Sequence, residues 1–93
     1  MNGIFVFKCL GDVDGSTFLD GRTEDGTVGL APDTNGFSGT RWEVNDVGGA
    51  VTIRCLGDVD GSTFLDGRTG DGTVGLAPDT NGFSGTRWEI ISA

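Results

Sequence analysis

CLGDVDGSTFLDGRTEDGTVGLAPDTNGFSGTRWE occupies residues 9–43 and recurs over residues 55–89 with a single change, Glu24 against Gly70. The period is 46 residues, so the 93-residue chain is two copies with little left over. A repeat of this length is one supersecondary unit that does not bury its apolar face alone. The chain divides into repeat 1 (residues 1–46) and repeat 2 (residues 47–93). Whatever chemistry it carries is expected at two equivalent places.

Each repeat resolves into four short apolar runs separated by Gly, Asp, Asn and Pro, which is a strand-rich pattern. The first run is residues 4–10 (IFVFKCL), matched by residues 50–56 (AVTIRCL). In the second copy Val51, Ile53 and Cys55 alternate with Thr52 and Arg54, a period of two with one face turned inward. The first copy puts Phe5, Phe7 and Cys9 on that face and Lys8 outward. The second run is residues 17–20 (TFLD); the GRTEDG that follows is a tight connection whose Asp-Gly suits a hairpin. The third is residues 27–31 (TVGLA), stopped by Pro32, and a loop reading PDTNGFSG leads to the fourth, residues 40–44 (TRWEV). No stretch sustains a 3.6-residue period, so the chain is expected to be all-β with essentially no helix.

Composition narrows the function classes. With 18 Gly and 35% hydrophobic residues the core is small, and small domains bury a modest share of their surface. Closure is therefore expected from association between chains. Fourteen acidic residues against six basic ones give a formal charge of −8. That disfavours nucleic acid, whose backbone demands clustered Lys and Arg, and anionic membrane surfaces. It suits neutral ligands such as sugars, cations, or plain solubility. There is no His, which removes the usual general base and zinc ligand. Cys9 and Cys55, one per repeat, read as buried small hydrophobes rather than a disulfide framework. The opening MNGIFVFK has no signal-peptide pattern, and nothing approaches the ~20 apolar residues of a membrane span. A cytoplasmic setting is the default expectation.

Four strands per repeat fit either a β-trefoil lobe or a β-propeller blade. The order VTIR, FLD, GTVGLAP, TRWE resembles a lobe of the ricin B-like trefoil family over nearly the whole repeat. The family's Gln-x-Trp stands here as Thr40-Arg41-Trp42 and Thr86-Arg87-Trp88. The resemblance implies that Trp42 and Trp88 are core residues. It also implies that Asp20 and Asp66, after the second strand's Leu, accept hydrogen bonds from sugar hydroxyls. The family's stacking aromatic on the third strand is replaced by Ala31 and Ala77, and its Asn-Gln before the Trp by Gly39-Thr40 and Gly85-Thr86. A trefoil needs three lobes and this chain has two, so three chains supply six lobes; six blades would equally close one propeller, and both readings give a homotrimer.

The residues themselves offer a substitute site. Asn35 and Asn81 each bring a donor and an acceptor, and Phe37 and Phe83 can stack a sugar face; the alternative is a DTNG turn whose Phe caps the core. Asp20 and Asp66 have a rival role too, as turn residues capping their own backbone. Arg22 and Arg68 can take an acidic sugar or pair with the abundant Asp. Asp12-Val13-Asp14-Gly15-Ser16 and its copy at 58–62 start like a calcium loop, but the third ligand, terminal Glu and flanking helices of an EF-hand are missing. Calcium is thus a minor alternative to a chain with no cofactor, and no motif selects a catalytic pair. The leading expectation is a non-enzymatic, multivalent, lectin-like protein with one shallow site per repeat, its partners being glycans or small sugars. The rival is a structural scaffold without a ligand, consistent with a very recent duplication or a deliberately symmetrised repeat.

Overall fold

The computed structural model describes residues 2–11, 15, 17–22, 25–57 and 63–92. Its elements are β1 (Gly3–Phe5), β2 (Phe18–Arg22), β3 (Thr27–Ala31), β4 (Trp42–Asp46), β5 (Val51–Cys55), β6 (Phe64–Arg68) and β7 (Thr73–Ala77). Single 3₁₀ turns, Ser38–Thr40 and Ser84–Thr86, close the long loops. The chain is all-β: among the described residues the only helical geometry is in those two turns. None of it is long and apolar enough to cross a membrane.

Every pairing is antiparallel. One sheet runs β1-β4-β5-β6-β7 and a second is the β2–β3 hairpin, and neither closes into a barrel. The internal symmetry survives in the pairings. Phe5 lies opposite Trp42 in β1–β4, and their equivalents Val51 and Trp88 form an isolated bridge. Lys8 bridges Phe18 as Arg54 pairs with Phe64. The first run of each repeat thus starts against the fourth run of its own repeat and ends against the second. The repeats themselves join through the β4–β5 ladder, in register from Trp42↔Cys55 to Asp46↔Val51. The turn between them closes with Val47 N–H donating to the Ala50 carbonyl at 2.8 Å.

The core collects on this ladder. Trp42, Val44, Val51, Ile53, Cys55, Leu65 and Leu76 are buried together, with Phe7, Leu19, Val28 and Trp88 packed against them. Phe7 meets Trp42 edge-on, ring centroids 6.5 Å apart. The Trp42 indole donates to the Leu19 carbonyl at 3.1 Å, and Trp88 to Leu65 at 3.0 Å. Each tryptophan thereby ties the fourth run to its own hairpin while satisfying the one polar atom its ring would otherwise bury.

Four expectations need correction. Repeat 2 contributes three described strands rather than four, because after Trp88 its last run has no strand alongside it. Cys9 is exposed while Cys55 is buried, and Phe5, expected on the inner face, is exposed like Lys8, which faces outward as expected. The cause is common to both: β5 is covered by β4, whereas nothing described covers the equivalent edge of residues 5–9. On β5 the expected alternation is also blurred, since Thr52 is buried with Val51 and Ile53.

Candidate functional site

The β2–β3 hairpin holds the first candidate residues. Asp20 and Arg22 are two apart on one strand and so share a face, and Asp20 lies opposite Gly29. Glycine lets the Arg22 guanidinium lie flat on it; a methyl at Gly29 would sit 2.5 Å from Cζ and displace the side chain. Stretched along this face, Arg22 donates from Nη2 to the Leu30 carbonyl at 3.4 Å and brings Nε to 3.7 Å from Asp20 Oδ2. The Asp20 side chain is only 13% exposed as a result. Repeat 2 reproduces each contact: Arg68 over Gly75, 3.4 Å to the Leu76 carbonyl and 3.7 Å to Asp66. Of the two fates open to Arg22 and Arg68, the structure takes the pairing with Asp. With the guanidinium half exposed, such a pair contributes at most about 1 kcal/mol, so its effect is to orient the carboxylate.

The second group of candidates arrives on the long loop. Asp33 Oδ1 accepts the Asn35 N–H at 2.8 Å, an Asx turn that fixes the loop's reversal. The Phe37 carbonyl accepts both the Thr40 N–H at 3.1 Å and the Thr40 hydroxyl at 2.7 Å, which folds Ser38–Thr40 into its 3₁₀ turn. Asp79–Asn81 and Phe83–Thr86 repeat these bonds at 2.8, 3.1 and 2.7 Å. The turn then lands on β2, where Gly39 abuts the Gly21 carbonyl and Asp20 Oδ1. Gly85 abuts Gly67 and Asp66 in the same way. Asp20 and Asp66 therefore sit at a seam between hairpin and loop. Phe37 and Phe83, one residue before each 3₁₀ turn, are 37% and 38% exposed. Asn35 and Asn81 are exposed at the loop reversal. In the place of the third-strand aromatic, Ala31 and Ala77 are buried.

At the hairpin tip Asp25 Oδ1 accepts both the Thr27 hydroxyl, at 2.5 Å, and the Thr27 N–H, at 3.1 Å. These bonds, the hydroxyl's first, hold its carboxyl below the ordinary value, as they do for Asp71 with Thr73. Burial pushes the Cys55 thiol up, which makes it inert. Of the proposed calcium loops, 12–16 and 58–62, only Gly15 lies within the described residues.

No family model, curated protein or solved structure matches the chain.

One feature escaped the sequence reading. Trp88, Gly67 and Gly85 border a cleft of about 390 Å³, and a second of about 340 Å³ opens on the other side of Trp88 beside Val51 and Ile90. No local signal marked it, since the TRWE of repeat 2 is identical to that of repeat 1.

Proposed function

We propose that this chain is a multivalent, lectin-like carbohydrate-binding protein built from β-trefoil lobes of the ricin B-like kind, with one shallow site per repeat. The observation that carries the reading is the duplicated seam. In both repeats a carboxylate, steered by an arginine, lies under a loop that carries a partly exposed phenylalanine and an exposed asparagine. Carboxylate and amide suit adjacent sugar hydroxyls, and the ring suits the apolar face of a pyranose. Individually weak sites gain avidity from repetition.

The strand order supports trefoil lobes over propeller blades. A blade keeps its four strands in a sheet of its own, whereas here β4 bonds to β1 of its own repeat and β5 of the next. In this reading further copies of the chain complete the lobes, three chains giving six.

The test is a panel of monosaccharides titrated into isotopically labelled protein. Asp20→Ala with Asp66→Ala, and separately Phe37→Ala with Phe83→Ala, are expected to erase the sugar-induced shifts while near-ultraviolet spectra stay native. Binding that persists in both variants rejects the site.

A scaffold without a ligand is the second reading, favoured by the engagement of Asp20 with Arg22 and by the buried alanines at positions 31 and 77. A ligand that binds only the folded state must raise Tm by mass action. No rise with any sugar at millimolar concentration selects the scaffold.

A further inference from the structure

We propose that the segment at residues 5–9 of one chain docks on the residues 88–92 edge of a second copy, with Cys9 of the first seated in the cleft beside Trp88 of the second. This rests on the lobe-completion half of the reading above and is independent of sugar binding.

The chain carries its own template for the contact. In the β4–β5 ladder Cys55 lies opposite Trp42, and its thiol is directed at the carbonyls of Gly39, 3.5 Å away, and Gly21, 3.9 Å away. The fit is tight: a methyl at Gly21 would lie 2.7 Å from Cys55 Sγ and 3.0 Å from Trp42. At the equivalent Gly67 the indole is there, at 3.2 Å, but no sulfur is; the space is the cleft of about 390 Å³ bordered by Gly67, Gly85 and Trp88. The missing side chain has an obvious counterpart. Cys9, the copy of Cys55, is exposed on the same chain.

Moving the β4–β5 register forward by the 46-residue period on one side and back by it on the other fixes every pair of the contact. Cys9 falls opposite Trp88, Lys8 opposite Glu89, Phe7 opposite Ile90 and Val6 opposite Ile91. The template pair behind Lys8 and Glu89 is Arg54 and Glu43, which form an ion pair at 3.8 Å. Charge complementarity is therefore retained although Arg has become Lys. The residues that would be covered are apolar beyond what an isolated surface needs: Val6 is 48% exposed, Ile90 47% and Ile91 74%. Two segments that each carry a single bridge on one side and matched side chains are a template for strand pairing with another chain. Because the two edges differ, the contact is head-to-tail, and each chain uses both.

Native mass spectrometry across a dilution series, with far-ultraviolet spectra to confirm folding, tests the contact. The wild-type chain is expected to associate; Ile90→Asp, which would bury a lone carboxylate, is expected to weaken association about a hundredfold or more. Lys8→Glu and Glu89→Lys should each weaken it several-fold, and the double variant should restore it to within about threefold of wild type, since the swap recreates the pair. A chain that stays monomeric up to about 100 μM, about ten times weaker than a 10 μM contact, overturns the proposal. So does assembly indifferent to Ile90→Asp, or a double variant no better than the single ones. Sugar titrations on the same samples separate the two readings: a monomer that binds sugar sinks the docking alone, and an assembly that binds none sinks the site alone.

Discussion

A methyl group at Gly39 would run into the Gly21 carbonyl and the Asp20 carboxylate, so Gly39→Ala must lift the 3₁₀ turn from β2. We expect a loss of about 1–3 kcal/mol, as for other overpacked sites, read by urea denaturation; a change below about 0.5 kcal/mol would show that the turn does not rest on the hairpin. Gly70 is the contrasting case. It stands in a hairpin turn where repeat 1 has Glu24, and glycine tolerates positive φ better than glutamate does. In the structure the left-handed position of that turn belongs to Gly72, at φ +75°, while Gly70 avoids the region and has nothing within 4 Å of a built Cβ. Gly70→Glu should thus shift stability by less than about 0.5 kcal/mol, and a larger loss would contradict this assignment. Residue type alone does not separate the two glycines, because what decides them is a backbone angle in one case and a neighbouring carbonyl in the other. Asp20 was a candidate through the resemblance alone; what the structure adds is Arg22, two residues away, held 3.7 Å from its carboxylate.

Among the elements, the third run was legible to the residue, Thr27–Ala31, and the second to within two, because Pro32 and the Asp-Gly tip bound them locally. The hairpin tip also sets a pH response. Asp25 and Asp71 bond to Thr27 and Thr73 as carboxylates and titrate below their ordinary value. Their contribution is complete above the unfolded carboxyl's pKa and is lost as pH falls through the lowered one. Carboxyl-carbon titration by NMR should place both below an unstructured Asp, and Thr27→Val should move Asp25 up while leaving Asp71 in place. Equal titration of Asp25 in wild type and variant would remove the hydroxyl as the cause. The outer runs were less legible. Residues 4–10 and the run after Thr86 have good strand sequences, yet β1 stops at Phe5 and Trp88 makes only a bridge. A strand needs a continuous partner edge, and here the partner changes along the run: Phe5 pairs with Trp42 but Lys8 with Phe18, and Trp88 meets only Val51.

For the whole molecule, identical sequence in unlike surroundings produces two cysteines with opposite chemistry. Cys55 is closed in by Gly21, Gly39 and Trp42 and its thiol is raised by burial, whereas Cys9 is exposed. The period revealed the equivalence of the two positions; it carried no information about which copy would have a strand laid over it, since that depends on the order of repeats along the chain. The difference supplies a measurement that needs no mutation. In dilute protein a thiol reagent should label Cys9 at the rate of an accessible cysteine, while Cys55 waits for the β4–β5 ladder to open and reacts orders of magnitude more slowly. Raising the protein concentration leaves opening of that ladder nearly unchanged. If Cys9 of one chain occupies the Trp88 cleft of the next, its labelling should slow about threefold or more between roughly 1 and 100 μM, as bound chains come to outnumber free ones. Ile90→Asp should abolish that slowing, because it sets a carboxylate into the contact opposite Phe7 while leaving Cys9 itself untouched. Labelling of Cys9 that is fast at every concentration would mean that its exposure is the protein's working state, and that the two repeats are completed by each other alone.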